Sequence, residues 1–248
     1  MAARTAIVYG FHAVTARLRH RAGSVREILV ERERHDPRMR RLLDAAAAAG
    51  IRVQTVPGDR LDRLAGHRRH QGVIAFAEPI AAGASLDAVL EALREPALLL
   101  ALDGVQDPHN LGACLRVADA FGAHALIAPS DRAVGITPTV EKVASGAVDT
   151  VPYIVVTNLV RSLHELQERG IWVVGAAREA ETPLAACDLH RAIALVLGAE
   201  GQGLRRLTAQ TCDEQVAIPM SGEVESLNVS VAAGICLYEA RRQRGATP

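Results

Sequence analysis

The sequence predicts an α/β protein in two parts: a small N-terminal α/β module, then a larger domain built on a parallel sheet with helices on both faces. Three observations carry that expectation. From Pro96 onward, short apolar runs of strand length alternate with stretches of helical periodicity. The first 80 residues are rich in arginine and lead into Glu78-Pro-Ile-Ala-Ala-Gly-Ala-Ser, which has the composition of a linker. The chain as a whole has 248 residues, 49% of them hydrophobic and 23% charged, which suits one large globular domain or two small ones. The expected organisation is therefore a domain over 1–80, a linker over 81–95 and a second domain over 96–248.

In the first part, apolar runs at Arg26–Val30 and Gly72–Ala77 flank a helical pattern over Pro37–Ala49. In the second, Leu98–Leu102 is a buried strand, and Leu111, Leu115, Ala118 and Phe121 recur at helical spacing. Ala125–Ala128, Tyr153–Val156, Trp172–Gly175 and Ile193–Leu197 are further buried-type strands, with helical stretches near Thr139–Ser145 and Asn158–Arg169 between some of them. In parallel sheets of this kind, ligands bind beyond the carboxyl ends of the strands.

Composition excludes several classes. The longest apolar stretches, Ala97–Leu102 and Ala192–Ala199, fall far short of the roughly 18–20 residues that span a bilayer. Met1-Ala-Ala-Arg-Thr runs into a polar segment without a signal-peptide core, so neither a membrane nor a secreted protein is expected. Cys114, Cys187, Cys212 and Cys236 lie 73, 25 and 24 residues apart, a spacing that suits free thiols in a reducing cytoplasm. Net charge is zero, yet residues 1–80 carry 15 Arg against 8 acidic residues, and residues 81–248 carry the opposite excess. A basic end of this size attracts a polyanion, or is simply a solvated face. Aromatic residues are only 3% of the chain, so stacking platforms for bases are scarce.

Three segments exceed what a scaffold requires, and each follows a strand. In Asp107-Pro-His-Asn-Leu-Gly-Ala-Cys-Leu-Arg116, Asn110 can cap the following helix. Arg116 lies four residues after Gly112, where it can run back over the bare glycine toward the strand ends and favour a phosphate or an oxyanion. Pairing with Asp119 or another carboxylate is the plainer role. In Val196-Leu-Gly-Ala-Glu-Gly-Gln-Gly-Leu204, three glycines in six positions let the backbone approach a ligand, with Glu200 among them. The order Gly-x-x-Gly-x-Gly departs from the dinucleotide fingerprint, and a tight turn would also use these glycines. In Ile218-Pro through Tyr238, Ser226 can cap a helix carrying Leu227, Val231, Ile235 and Tyr238 on one side. Asn228 then falls in the first turn, where it needs a partner for its amide. Asp107, His109 and His124 lack metal-ligand spacing, so no metal is expected. The elbow of a serine hydrolase and the Gly-Lys-Ser/Thr ending of a P-loop are missing.

Taken together, Asn110-x-Gly-x-x-x-Arg116, Leu197-Gly-Ala-Glu200-Gly-x-Gly203 and Ile218-Pro leading to Ser226-Leu-Asn228-Val-Ser230 resemble the three ordered motifs of the SpoU/TrmH family. These are RNA ribose 2′-O-methyltransferases that use S-adenosyl-L-methionine. The resemblance spans roughly Leu98–Arg244. At the other end, Tyr9-Gly-Phe-His-Ala-Val and His70-Gln-Gly-Val-Ile-Ala resemble the substrate-binding domain of a subgroup acting on a guanosine of large-subunit ribosomal RNA. That domain has a fold akin to ribosomal protein L30e.

The resemblance implies a C-terminal trefoil knot holding the methyl donor, a cytoplasmic homodimer, and ribosomal RNA rather than DNA as the partner. It implies catalytic roles for Asn110, Arg116, Glu200, Ser226 and Asn228. It also implies that backbone groups at Gly198, Ile218 and Leu227 hold the donor's adenosine. Because a guanidinium hardly ever deprotonates, Arg116 is expected to stabilise the oxyanion rather than act as a base. Transfer RNA as substrate, and a non-catalytic RNA-binding or ribosome-assembly module, are the alternatives.

Overall fold

The computed structural model describes residues 5–34, 36–66, 70–79 and 85–245. Its described residues form two compact units, one drawn from 1–81 with 136–150 and the other from 82–135 with 151–248.

The first unit is built on four strands, β1 (Ala6–Tyr9), β2 (Val25–Glu31), β3 (Arg52–Val56) and β4 (Val73–Ala77), in the order β1-β4-β2-β3. β2 and β3 run parallel, whereas β4 is antiparallel to both β1 and β2. Residues of β2 alternate between two buried faces. Ile28 and Val30 join Phe11, Val14 and Leu18 of α1 (Phe11–Arg21) and Met39 and Leu42 of α2 (Pro37–Ala48). Leu29 faces Leu61 of α3 (Gly58–Ala65) on the other side. Asp36 fixes the start of α2 by accepting from the Arg38 and Met39 amides, with Pro37 in the first turn. The two segments that resemble a substrate-binding domain meet here. The Phe11 amide donates to Gln71 Oε1 at 3.1 Å, and His70 accepts from the Gly72 amide at Nδ1 while its Nε2 contacts Asp62.

A later stretch completes this unit. Helix Pro138–Ala144 and the 3-10 turn Ala147–Asp149 pack against α1. Arg17, 1% exposed, reaches both Glu141 at 3.1 Å and Asp149 at 2.7 Å, and a Cβ on Gly146 would lie 2.2 Å from that of Ala16. No composition shift marks these residues, and sequence alone groups them with the second domain.

Of the segment expected to be a linker, 81–84 lie outside the described residues. Its middle is the helix Leu86–Glu91, capped by Ser85, whose hydroxyl accepts from the Ala88 amide at 3.1 Å. In chain order this helix is α4, and Pro108–Ala120 is α5, Pro138–Ala144 α6 and Leu159–Glu168 α7. The second unit has seven strands: β5 (Leu98–Asp103), β6 (Ala125–Pro129), β7 (Tyr153–Val156), β8 (Trp172–Ala176), β9 (Thr182–Pro183), β10 (Ile193–Gly198) and β11 (Glu214–Ala217). They lie in the order β7-β6-β5-β10-β8-β11-β9, and every pairing is parallel. The expected α/β architecture is present, with β9 and β11 as additions that periodicity missed because they are short.

Leu159, Leu163 and Leu166 of α7 cover one face of this sheet, together with apolar side chains of α4. Also in this unit, α5 packs against α9 (Val229–Gln243), and α9 packs against β10. Gly234 lets α9 approach α5, its missing Cβ lying 3.7 Å from Val117 Cγ1. Arg241 and Arg244 anchor the far end of α9. Arg241 donates to the Phe121 and Gly122 carbonyls, and Arg244 to those of Leu189, Pro96, Ala97 and Arg191. β10 is inserted between β5 and β8, so the chain leaves β5 toward β6 but leaves β10, through α8 (Arg206–Thr211), toward β11 on the opposite flank. The loops diverge at that point and open a crevice at the carboxyl ends of the strands.

Candidate active site

The first motif sits where β5 hands over to α5. Asp107, not Asn110, is the cap: its carboxylate accepts from the His109 amide at 3.1 Å and the Asn110 amide at 3.3 Å, and Pro108 occupies the first turn. An Asp-Pro pair sets both the starting point and the backbone angle of the helix. With Asp107 as the cap, the Asn110 side chain turns to another partner, the third motif. Asn228 Nδ2 donates to Asn110 Oδ1 at 2.9 Å and lies 3.4 Å from Glu200 Oε2 of the second motif. Its own Oδ1 accepts from the amide and the hydroxyl of Ser230 at 2.9 and 2.7 Å.

Asn228 is therefore the cap of α9, rather than Ser226. Its need for an amide partner, expected from the sequence, is met by segments 118 and 28 residues away. Ser226 lies two residues before the cap, exposed on the wall of the crevice. The stripe Val231, Ile235 and Tyr238 does not face the core. It is solvent-exposed, while Val229, Ala233, Cys236, Leu237 and Ala240 are buried.

The crevice has a volume of about 560 Å³ and is walled by Gly198, Glu200, Ile218, Ser226 and Leu227 among others. That size falls within the range of small-molecule sites. Its position matches the rule for parallel sheets, since it opens beyond β8, β10 and β11. Leu197, Leu204, Met220 and Val229 give it an apolar body, and Arg178, Glu179 and Glu200 a polar rim. Such a lining suits a ligand with a flat apolar ring and a charged tail.

Gly198 ends β10, and its bare Cα serves the protein's own backbone. A Cβ there would lie 1.9 Å from the Gly203 carbonyl carbon and 2.3 Å from the Leu204 nitrogen. The loop doubles back on itself, with the Gly203 amide donating to the Ala199 carbonyl at 2.9 Å. Gly201 and Gly203 hold φ of 75° and 66°, a left-handed conformation that glycine adopts without strain.

Arg116 stands apart from this constellation. It is exposed on α5, six residues beyond Asn110, and does not line the crevice. Among the described residues it has neither an ion-pair nor a hydrogen-bond partner, so pairing with Asp119 is not what holds it. The structure thus joins Asn110, Glu200 and Asn228, places Gly198, Ile218, Ser226 and Leu227 around one cavity with Glu200, and leaves Arg116 facing solvent.

One further charged group, Asp103, belongs to the neighbourhood of this site. Asp103 ends the otherwise apolar strand β5 with a side chain of 0% exposure, and its carboxylate accepts from the Arg205 amide at 2.9 Å and from Arg205 Nε. Arg205 Nη1 also reaches Asp131, at 3.2 Å. A lone carboxylate closing the run Leu-Leu-Leu-Ala-Leu was the available signal.

Burial holds the cysteine thiols at about 12, so they stay protonated at neutral pH and offer no nucleophile. His124 uses both ring nitrogens structurally, accepting from the Leu98 amide and contacting Glu95.

Residues 97–238 match the model of the SpoU rRNA methylase family, and residues 7–81 match that of the RNA 2′-O ribose methyltransferase substrate-binding family. The chain belongs to the SpoU methylase family. It is 60% identical to the 23S rRNA (guanosine-2′-O-)-methyltransferase RlmB of Ralstonia nicotianae, over 99% of this chain and 98% of that protein. RlmB of Bordetella pertussis is 57% identical over 98% and 99% of the two chains. Among solved structures, the SpoU methyltransferase AviRb of Streptomyces viridochromogenes, in complex with AdoMet, superposes with a TM-score of 0.79 at 28% identity. That superposition covers 97% of this SpoU methylase and 90% of AviRb. As a family member, this chain is a methyltransferase.

Proposed function

We propose that the chain transfers the methyl group of S-adenosylmethionine to the 2′-hydroxyl of a guanosine in large-subunit (23S) ribosomal RNA. The observation that carries this reading is the convergence of three distant motifs on Asn228, beside a crevice at the strand ends. Relatives named for this reaction, aligned over nearly the whole chain, support the choice of RNA. Such a substrate belongs to the cytoplasm, and among the described residues no helix is long and apolar enough to cross a membrane.

The bound donor supplies a methyl group on a positively charged sulfur, open to in-line attack. Backbone groups at Gly198, Ile218 and Leu227 hold its adenosine, and the apolar lining around them excludes water. Glu200, Asn110 and Asn228 form one hydrogen-bonded unit that orients the polar ends of the two substrates. Ser226, on the crevice wall, positions the ribose. Arg116 stabilises the negative charge that develops on the attacking oxygen. Since a guanidinium does not deprotonate, the hydroxyl proton passes to an RNA phosphate oxygen or to water.

The same reading includes a homodimer. Val231, Ile235 and Tyr238 form an exposed apolar stripe on α9, and Arg116, on the neighbouring α5, faces solvent. A second copy seated on that stripe brings further surface to Arg116. The reading also includes the family's C-terminal knot. The insertion of β10 between β5 and β8, the folding of residues 198–204 over β10, and the return of α9 to α5 support it.

The deciding experiment is transfer of labelled methyl from S-adenosylmethionine to unmodified 23S rRNA and to transfer RNA, with the modified ribose mapped. A 2′-O-methylguanosine in 23S rRNA is expected. Label in transfer RNA alone would reassign the substrate, and label in neither would reduce the chain to a binding module.

A further inference from the structure

Four features of the fold converge on the base of the Gly-rich loop. Asp103 is fully buried at the end of β5 and lies opposite Gly198 in the β5–β10 register. Its two oxygens are both taken by one residue, Arg205, through the backbone amide and Nε. The same guanidinium extends Nη1 to Asp131, which lies just beyond β6. Finally, Gly104, next to Asp103, sits with its missing Cβ 3.9 Å from that of Ala199. One side chain thus ties the loop after β10 to the carboxyl ends of β5 and β6.

We propose that Arg205 is a positioning residue, a latch that holds residues 198–205 in the shape that forms one wall of the methyl-donor crevice. The inference rests on the donor-binding reading above but assigns a residue outside the three motifs. The loop between its two ties explains why a latch is needed. At its tip Glu200 meets Asn228 at 3.4 Å, a long contact, and between tip and base lie Gly201 and Gly203, the two most freely rotating residues of the segment. Without a fixed base, the glycines would let the wall sample many shapes, and the donor would have to order it on binding. The buried Asp103 supplies that fixed point, because a carboxylate shut away from water strongly favours its paired geometry. Only a planar fork spans Asp103 and Asp131 at once. A lysine keeps the charge but offers a single point. Motif order acquires a physical sense here: β5 leads into Asp107–Arg116, so the latch sets the first and second motifs in register from below, as Asn228 does from above.

The test uses the full chain and the Arg205→Lys variant, with Asp131→Asn as a milder second variant at an exposed position. Amide exchange in the absence of donor should be at least tenfold faster at Gly201–Gly203 in Arg205→Lys, with exchange in the strands unchanged. Calorimetry should give S-adenosylmethionine affinity weakened tenfold or more, and KM for the donor should rise in parallel, with kcat at saturating donor within about threefold. Asp131→Asn should move each quantity the same way by a smaller factor. Unchanged loop exchange and donor affinity in both variants would overturn the latch. A uniform rise of exchange throughout the unit would overturn it too, since Arg205 would then serve general stability. Failure of the unmodified chain to bind the donor would overturn the underlying reading instead, and the exchange arm would still decide the latch.

Discussion

At the scale of single residues, Asn228 and Arg116 are opposites. Asn228 uses both its donor and its acceptor groups inside the protein, as cap and as bridge, so its role is to hold others in place. Arg116 is exposed and partnerless among the described residues, which suits a group whose partner arrives with the substrate. Arg116→Ala is therefore expected to abolish methyl transfer while donor affinity stays within about tenfold, roughly 1.4 kcal/mol. Calorimetry and a single-turnover assay on the same variant check both halves. At Gly198 the protein's own backbone leaves no room for a side chain. The Gly203 backbone occupies the space a Cβ would need, so Gly198→Val must displace the loop. Overpacking of this kind costs about 1–3 kcal/mol or more. The variant is expected to lose several degrees of melting temperature together with donor binding. Normal melting with donor binding lost would instead mean that the ligand alone needs that space.

At the scale of elements, the helix–turn segment α6 to Asp149 is secured to α1 by charges that burial makes costly. Arg17 faces both Glu141 and Asp149, and Glu141 Oε2 has no hydrogen-bond partner. Burial pushes the Glu141 carboxyl up to about 6 and raises that of Asp149 as well, with Arg17 opposing both shifts. A carboxyl raised on folding binds its proton more tightly in the folded state, so stability falls as pH rises from the ordinary value to about 6. For Glu141 the loss amounts to about 2 kcal/mol, more than half of it between roughly pH 5 and 8. Glu141→Gln should remove that dependence. Urea denaturation at both pH values should find the variant gaining about 1 kcal/mol on wild type from the lower to the higher. An equal difference at the two pH values would mean that Glu141 does not titrate as its surroundings require.

At the scale of the whole molecule, charge and apolar surface point to different partners. The first 80 residues carry seven more basic than acidic side chains, the difference between 15 and 8. Arg38 and Arg41 on α2 are exposed. RNA affinity should fall steeply with salt, by roughly a hundredfold between about 50 and 200 mM, as counterions are released. Replacing Arg38 and Arg41 by alanine should reduce the slope of log affinity against log salt by about 1–2. A slope unchanged in a filter-binding titration would place the RNA elsewhere. The apolar stripe makes the second case. Ile235→Glu sets a charge in the middle of Val231 and Tyr238, and sedimentation is expected to find the proposed dimer for the parent chain and a monomer for the variant. A dimer that persists in the variant would remove the stripe from the interface.

The linear pattern alone determined the class of the fold, the strands at Leu98, Ala125, Tyr153, Trp172 and Ile193, and the three segments that meet at the candidate site. Apolar period and glycine or proline placement are local quantities, written where they act. Only tertiary structure decided which side chain caps which helix, since Asp107 and Asn110 are both capable and the choice falls to the residue that Asn228 does not need. It also decided that residues 136–150 pack with the N-terminal unit, a pairing that depends on Arg17 meeting carboxylates more than 120 residues away. The Asp103–Arg205 tie has the same character. Each partner is an ordinary charged residue in its own segment, and the pair exists because a parallel sheet sets the ends of β5 and β10 side by side.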